Sequence, residues 1–441
     1  MKHFYFLIYT LLVGMTSLLT SCRPDISPNS DPDAGVLPIQ DYVAFGDGYS
    51  AGFADGNTDP FSLPGLYSDQ QQYSFPNLLA QQFRLVRDIP FVQHLAIGSG
   101  SGYRTLDEMV TQPCPSLPET FSYKDFTEEF EWNQSYVDFL GLNDLSIPHI
   151  RVRDLDQAYN PSGAPFFERL AGPLASNYLD IAQVRRARMF SLFIGLEDIL
   201  DHAISGASNE ALEPLSPGEF TARYGMLLDR LIDQPDTPYG LIADLPDVTD
   251  LPFFQAVPTR YPNLDNCVPS AQPLFIVDGA NQGMVRKANP SDFILLPAKP
   301  HIGANYGAGQ YFGLTTDNPI PDEWVLDQLE AERIRQTVFA YNQGIDSLIE
   351  AYNDQIGETR LKKVNLFGLV AALEDGMVED GLDVSNSFLR GGIFSLDGLY
   401  LTARGNALFA NAFIRAINDC PDFQANIPEL KLPDYPGVIF P

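Results

Sequence analysis

The chain has 441 residues, 45% of them hydrophobic and 12% aromatic, which is enough to bury a sizeable core and too apolar for a disordered polymer. Its formal net charge of −30 argues against nucleic acid as a partner, because phosphate contacts need lysine and arginine, and against electrostatic docking on anionic lipid.

Lys2, the apolar stretch Phe4 to Leu19 and the residues Leu19-Thr20-Ser21 before Cys22 have the layout of a signal peptide, residues 1–21. A cysteine directly after Leu-Thr-Ser resembles a bacterial lipobox. That resemblance implies an exported lipoprotein with acyl chains such as palmitate on Cys22, held at the outer membrane with its face left open. No other stretch is long and apolar enough to span a bilayer, so the lipid is the expected membrane attachment. Residues 22–40, rich in Pro, Asp, Ser and Asn, read as a flexible tether. The remaining cysteines, Cys114, Cys267 and Cys420, lack metal-like spacing; one disulfide and one spare thiol are expected, with the pair open.

The domain is expected to fill residues 41–441. Asp41 to Phe45 is a β-rich run stopped by Gly46. Ser74 to Phe83 has helical spacing, with Phe75, Leu78, Leu79 and Phe83 on one face. Tyr178 to Ala187 reads as a helix and Met189 to Ile194 as a buried strand. Leu274–Val277 and Val364–Phe367 are two further short, mostly apolar runs. Long helices fit Asp322–Tyr352 and Thr402–Asn418. Strands alternating with helices predict an α/β fold with a mainly parallel sheet. Residues 112–177 and 206–266 are too long for simple connections and read as large loop insertions beside a pocket at the carboxyl edge of the sheet.

Three blocks fall at strand ends or helix starts: Gly46-Asp47-Gly48-Tyr49-Ser50, Gly195-Leu196-Glu197-Asp198 and Asp397-Gly398-Leu399-Tyr400. In this order they resemble the Gly-Asp-Ser, Gly-x-Asn-Asp and Asp-x-x-His blocks of the SGNH/GDSL hydrolases. Ala96-Ile97-Gly98-Ser99-Gly100 resembles the family's glycine block. Further stretches resemble bacterial GDSL-type lipolytic lipoproteins: Tyr73-Ser74-Phe75-Pro76, Val285-Arg286-Lys287-Ala288, Asp292 to Leu296 and Gly405-Asn406-Ala407. The resemblance implies a three-layer α/β/α, flavodoxin-like domain. It also places a pocket around Asp47, Gly48, Tyr49, Ser50, Gly98, Gly100, Gly195, Glu197, Asp198, Asp397 and Tyr400.

The chemistry expected of that family is missing from the matching positions. The nucleophile position is Gly48, which has no side chain. The base position is Tyr400, a phenol and a poor base at neutral pH. The Asn position is Glu197, whose carboxylate accepts hydrogen bonds and would repel an oxyanion. Asp397 remains without a histidine to orient. A shifted nucleophile at Ser50, Ser99 or Ser101 would still need a base, and His94, His149, His202 and His301 lie outside any base-like block.

Convergence of Asp47, Glu197, Asp397 and Tyr400 would suit Ca²⁺ or the acid and base of glycoside cleavage. The expectation taken instead is that Asp47 and Asp397 cap backbone amides, while Glu197 meets solvent or an arginine. No metal and no cofactor are expected. The chain is thus expected to be catalytically inactive and to bind a lipid, a glycan or a protein partner at the old active-site pocket. Two alternatives are an esterase with a non-standard site, acting on lipid or carbohydrate esters, and a structural accessory of an outer-membrane assembly.

Overall fold

Tyr42–Gly46 (β1) and Met189–Phe193 (β2) carry no charged residue and are buried along their whole length, as strands covered on both faces must be. They are joined by Tyr239–Ala243 (β3) and Leu361–Val364 (β4) in a parallel sheet of order β1-β2-β3-β4. The computed structural model describes residues 31–56, 65–97, 103–110, 120–126, 131–132, 139–158, 167, 170, 176–263, 268–305, 307 and 309–441. On the outer side of β1 the segment 143–147 also runs parallel. The Ala44 amide donates to Asn143 O, the Leu145 amide to Ala44 O and the Ile147 amide to Gly46 O.

The helices used below are Gly48–Ala51 (α1), Phe75–Val86 (α2), Tyr178–Arg185 (α3), Glu197–Ile204 (α4), Pro217–Ile232 (α5), Gln328–Ile356 (α6), Leu366–Glu374 (α7) and Ala403–Asn418 (α8). One layer is α2 on α8, where Phe75 stacks on Phe413 with centroids 4.8 Å apart. The other is α3, α5 and α6, where Phe220 stacks on Tyr341 at 3.6 Å. Fully burying one such ring contributes about 1.5–3 kcal/mol. The architecture is therefore the expected α/β class, a parallel sheet flanked by helices.

Several boundaries differ from the sequence expectation. The stretch 206–266 is not a plain insertion, because it contains α5 and the central strand β3. Its helix starts at a capping box, Ser216 with Glu219, behind Pro217. Likewise 112–177 contains the segment that extends the sheet beyond β1. The long helix begins at Gln328 rather than Asp322, because Asp327 accepts the amides of Leu329 and Glu330 as its cap. It runs on to Ile356 and ends at Gly357, whose φ is 81°. The run at 364–367 is split: β4 ends at Val364, and Asn365 caps α7 by accepting the Gly368 amide. Phe275–Asp278 is a strand, but it pairs antiparallel with Met284–Lys287 away from the central sheet.

The tether reading also changes over its described part. Ala34, Leu37 and Ile39 are buried. The Asp33 and Val36 amides donate to Asn426 O and Phe423 O, both at 3.0 Å. Residues 33–39 are thus fastened to the C-terminal segment. Cys420 is a free, buried thiol, while Cys22, Cys114, Cys267, Gly98, Ser99, Gly100 and Ser101 lie outside the described residues. Among the described residues no helix is long and apolar enough to cross a membrane.

Some of the stretches that carried the resemblance are structural ties. Asn406 Oδ1 accepts the Phe75 amide at 3.0 Å, joining the start of α2 to α8. Arg286 grips Asp292 with two bonds, at 2.6 and 3.0 Å, and also bonds Asp278.

Candidate functional site

The carboxyl ends of β1 and β2 deliver two of the three blocks to one edge. At the end of β1, Asp47 caps α1 by accepting the Tyr49 amide at 3.1 Å. At the end of β2 the chain turns through Gly195, whose φ is 112°, and enters α4 at Glu197. A Cβ on Gly195 would lie 2.9 Å from the Phe220 ring, so both conformation and space require glycine. Gly195→Ala is expected to cost about 2 kcal/mol or more, seen as a lower chemical-denaturation midpoint. Gly218→Ala, with nothing within 4 Å of its added methyl, should leave that midpoint unchanged or raise it.

The third block arrives as a turn before α8. Asp397 Oδ1 accepts from Ser395 Oγ and from the amides of Leu399 and Tyr400, at 2.8, 2.8 and 2.9 Å. Its Oδ2 accepts the Gly56 amide at 3.1 Å. Asp397 therefore fixes the turn and brings Tyr400 into place, and its carboxylate is fully engaged. Burial still pushes its pKa above the ordinary carboxyl value, against those bonds.

The three blocks meet. Tyr400 Oη donates to Glu197 Oε1 at 2.7 Å, and Tyr49 Oη donates to Leu399 O at 2.7 Å. The Tyr400 ring packs on Tyr49 and Phe53, with centroids 5.0 and 5.3 Å apart. Gly48 lies under this pair: a Cβ there would stand 2.8 Å from Phe53 Cδ2, 2.9 Å from Glu197 Oε1 and 3.1 Å from Tyr400 Cε1. The space beside Gly48 is thus filled by the Phe53, Glu197 and Tyr400 side chains. Asp47, Gly48, Tyr49, Ser50, Gly195, Glu197, Asp198, Asp397 and Tyr400 are all buried.

Burial and the neighbouring Glu197 raise the pKa values of Asp47 and Tyr400 well above their usual ranges. Asp47 caps as expected. Glu197 corrects the expectation, since it meets neither solvent nor an arginine. Ser50 is buried, and a Cβ on Gly46 would meet its Oγ at 2.2 Å, so it packs back against β1. Asp198 turns the other way and accepts the amides of Val152 and Arg153, at 2.6 and 3.4 Å. Its pKa is raised by burial to about 7.

His149, set aside in the sequence as lying outside any base-like block, and Asp201, which the sequence did not single out, also stand here. The segment 143–147 beside β1 carries the chain to the same edge, and His149 follows with φ 59°. Its Nδ1 lies 3.7 Å from Glu197 Oε2, and its ring lies 5.5 Å from that of Phe53. Burial lowers the imidazole's pKa, but attraction to Glu197 and Asp201 outweighs this and the net shift is upward. Asp201 joins them from α4, its carboxyl raised to about 6 by burial and by the charge of Glu197. Its spacing of four from Glu197 was the available signal. For His149 the signal was weaker: alternating Leu145 and Ile147 in a polar stretch. Chemically the edge holds an imidazole and carboxylates, with the Tyr400 phenol on Glu197 and no serine, threonine or cysteine hydrogen-bonded to His149, Glu197 or Asp201 among the described residues. The donors that could hold a metal ion together are His149, Glu197 and Asp201.

An open groove of about 640 Å³ adjoins the Asp397 turn, lined by Tyr67, Tyr73, Tyr103, Arg104, Leu396 and Phe440 among others. Tyr67 and Tyr103 stack there with centroids 4.1 Å apart.

No family model matches the sequence, and no curated protein matches it. Among solved structures the chain is similar to an extracellular lipase from Streptomyces rimosus, at 11% identity and a TM-score of 0.30, over 85% of this chain and 98% of that one.

Proposed function

We propose that this chain is a catalytically silent protein of SGNH/GDSL esterase type, lipid-anchored through Cys22, that binds a ligand rather than hydrolysing one. The observation that carries this reading is the packing at Gly48. The nucleophile's place has no side chain, and Glu197, Tyr400 and Phe53 occupy the space a serine would need. Without nucleophile, base and oxyanion donor, little of the family's rate enhancement remains. The pocket expected at the old site is filled by its own side chains. The ligand, a lipid or a glycan, is therefore assigned to the adjoining groove, whose stacked tyrosines suit an apolar or sugar face.

Short- and long-chain nitrophenyl esters test the central point. The purified chain is expected to release nitrophenol at the buffer rate. A triple variant, Gly48→Ser with Glu197→Asn and Tyr400→His, is expected to exceed it. Ester turnover by the unaltered chain, clearly above buffer, would overturn the proposal.

A further inference from the structure

His149, Glu197 and Asp201 each offer a ligand atom, and these atoms lie within 4.8 Å of one another. Glu197 and Asp201 are four residues apart on α4, so the helix sets both carboxylates on one face. His149 reaches them from the turn after the 143–147 segment.

A second observation itself points to a ligand. Glu197 is fully buried; Tyr400 holds its Oε1, and its Oε2 accepts no hydrogen bond. His149 Nδ1 faces that oxygen at 3.7 Å, too far for a hydrogen bond. A buried carboxylate oxygen without a donor is costly, and a cation among these atoms would satisfy it. The other side of the cluster is open, because the His149 and Asp201 side chains are 26% and 22% exposed.

We propose that His149, Glu197 and Asp201 form a binding site for a divalent transition-metal ion of the zinc class. One imidazole nitrogen with two carboxylate oxygens suits Zn²⁺ or Mn²⁺, whereas Ca²⁺ takes oxygen ligands alone. Three protein ligands leave a solvent-side position for water. Tyr400 serves as the outer partner that orients the Glu197 carboxylate, an arrangement metal-binding carboxylates commonly have. Arg151 does not block the site. It lies 3.6 Å from Asp201 but bonds Asp154 at 2.8 Å, and Asp154 keeps it when Asp201 turns to the ion. The site is distinct from the Ca²⁺ arrangement considered from sequence, since the Asp397 carboxylate is already engaged by four donors.

The test is calorimetric titration of the chelator-treated chain with Zn²⁺, paired with the visible absorption of the Co²⁺-loaded chain. A single saturable equivalent is expected, together with a Co²⁺ band. His149→Gly, Glu197→Gln and Asp201→Asn should each weaken Zn²⁺ by at least about tenfold and remove the band. Glycine suits the left-handed backbone at 149, so that variant should fold, and its melting curve checks it. The absence of saturable Zn²⁺ heat overturns the proposal. So does Zn²⁺ affinity that His149→Gly and Asp201→Asn leave unchanged, because the ion would then sit elsewhere. The readout is metal binding, so the result stands apart from that of the ester assay.

Discussion

Replacing Tyr400 by phenylalanine is expected to destabilise the fold by about 2–3 kcal/mol, because only the hydroxyl on Glu197 is lost. The ring keeps its volume and its contacts with Tyr49 and Phe53. What changes is that a fully buried carboxylate loses the 2.7 Å donor on Oε1 while Oε2 already lacks one. A buried charged acceptor cannot recover that bond from water, so the whole desolvation penalty appears. In a Glu197→Gln background the same change should cost only about 1 kcal/mol, since the acceptor is then a neutral amide. A double-mutant cycle of denaturation midpoints measures the difference. A cost under about 0.5 kcal/mol for Tyr400→Phe alone would show that the pair does not hold the site closed.

The second large effect is on pH. Burial is the leading cause raising Asp198, Asp250 and Glu330 to about 7, and Asp55 and Asp201 to about 6. Carboxyls raised in the folded state hold protons that the unfolded chain releases. Their stabilising contribution is complete below the unfolded pKa, near 4, and fades as pH climbs through 6 to 7. His149, shifted upward, acts in the same direction. Asp278 and Glu219 are shifted downward, so their contribution is lost only as pH falls below the ordinary carboxyl range and stays constant above about pH 5. The melting temperature should therefore be several degrees higher at about pH 5 than at about pH 8. Calorimetric scans across that range check the sign. A melting temperature that rises toward pH 8 would mean these carboxyls are ionised in the native state.

The sequence was legible where one physical cause acted alone. β1 and β2 are apolar runs, interrupted only by Ser191, because both faces are covered, and the spacing of Phe75, Leu78, Leu79 and Phe83 marks the buried side of α2. That the blocks holding Gly48, Glu197 and Tyr400 share one edge followed from the family resemblance, whereas the buried Tyr400–Glu197 bond was not expected, since Glu197 was read as meeting solvent or an arginine. The 143–147 segment was not legible. Its polar residues look like loop, yet they are consumed by local ties. Asn143 accepts the Val92 amide and donates to Tyr42 O, and Asp144 accepts the Ser146 amide. Missing that segment left His149 without a place at the site. β4 was misplaced for a related reason: Lys362 and Lys363 lie in an edge strand, where Lys363 reaches Asp346 at 2.9 Å.

Residues 33–39, fastened to 423–426, lead straight into β1 at the amino edge of the sheet. All four strands run the same way, so α1, α4 and the groove lie at the opposite edge, about 17 Å away along five residues of strand. With the stretch ahead of β1 fastened rather than loose, the domain has a fixed up and down relative to its own leading end. A chain moored by that end would turn its amino edge to the mooring surface and its site edge outward. Its ligand would then reach the site from the side facing away from the mooring.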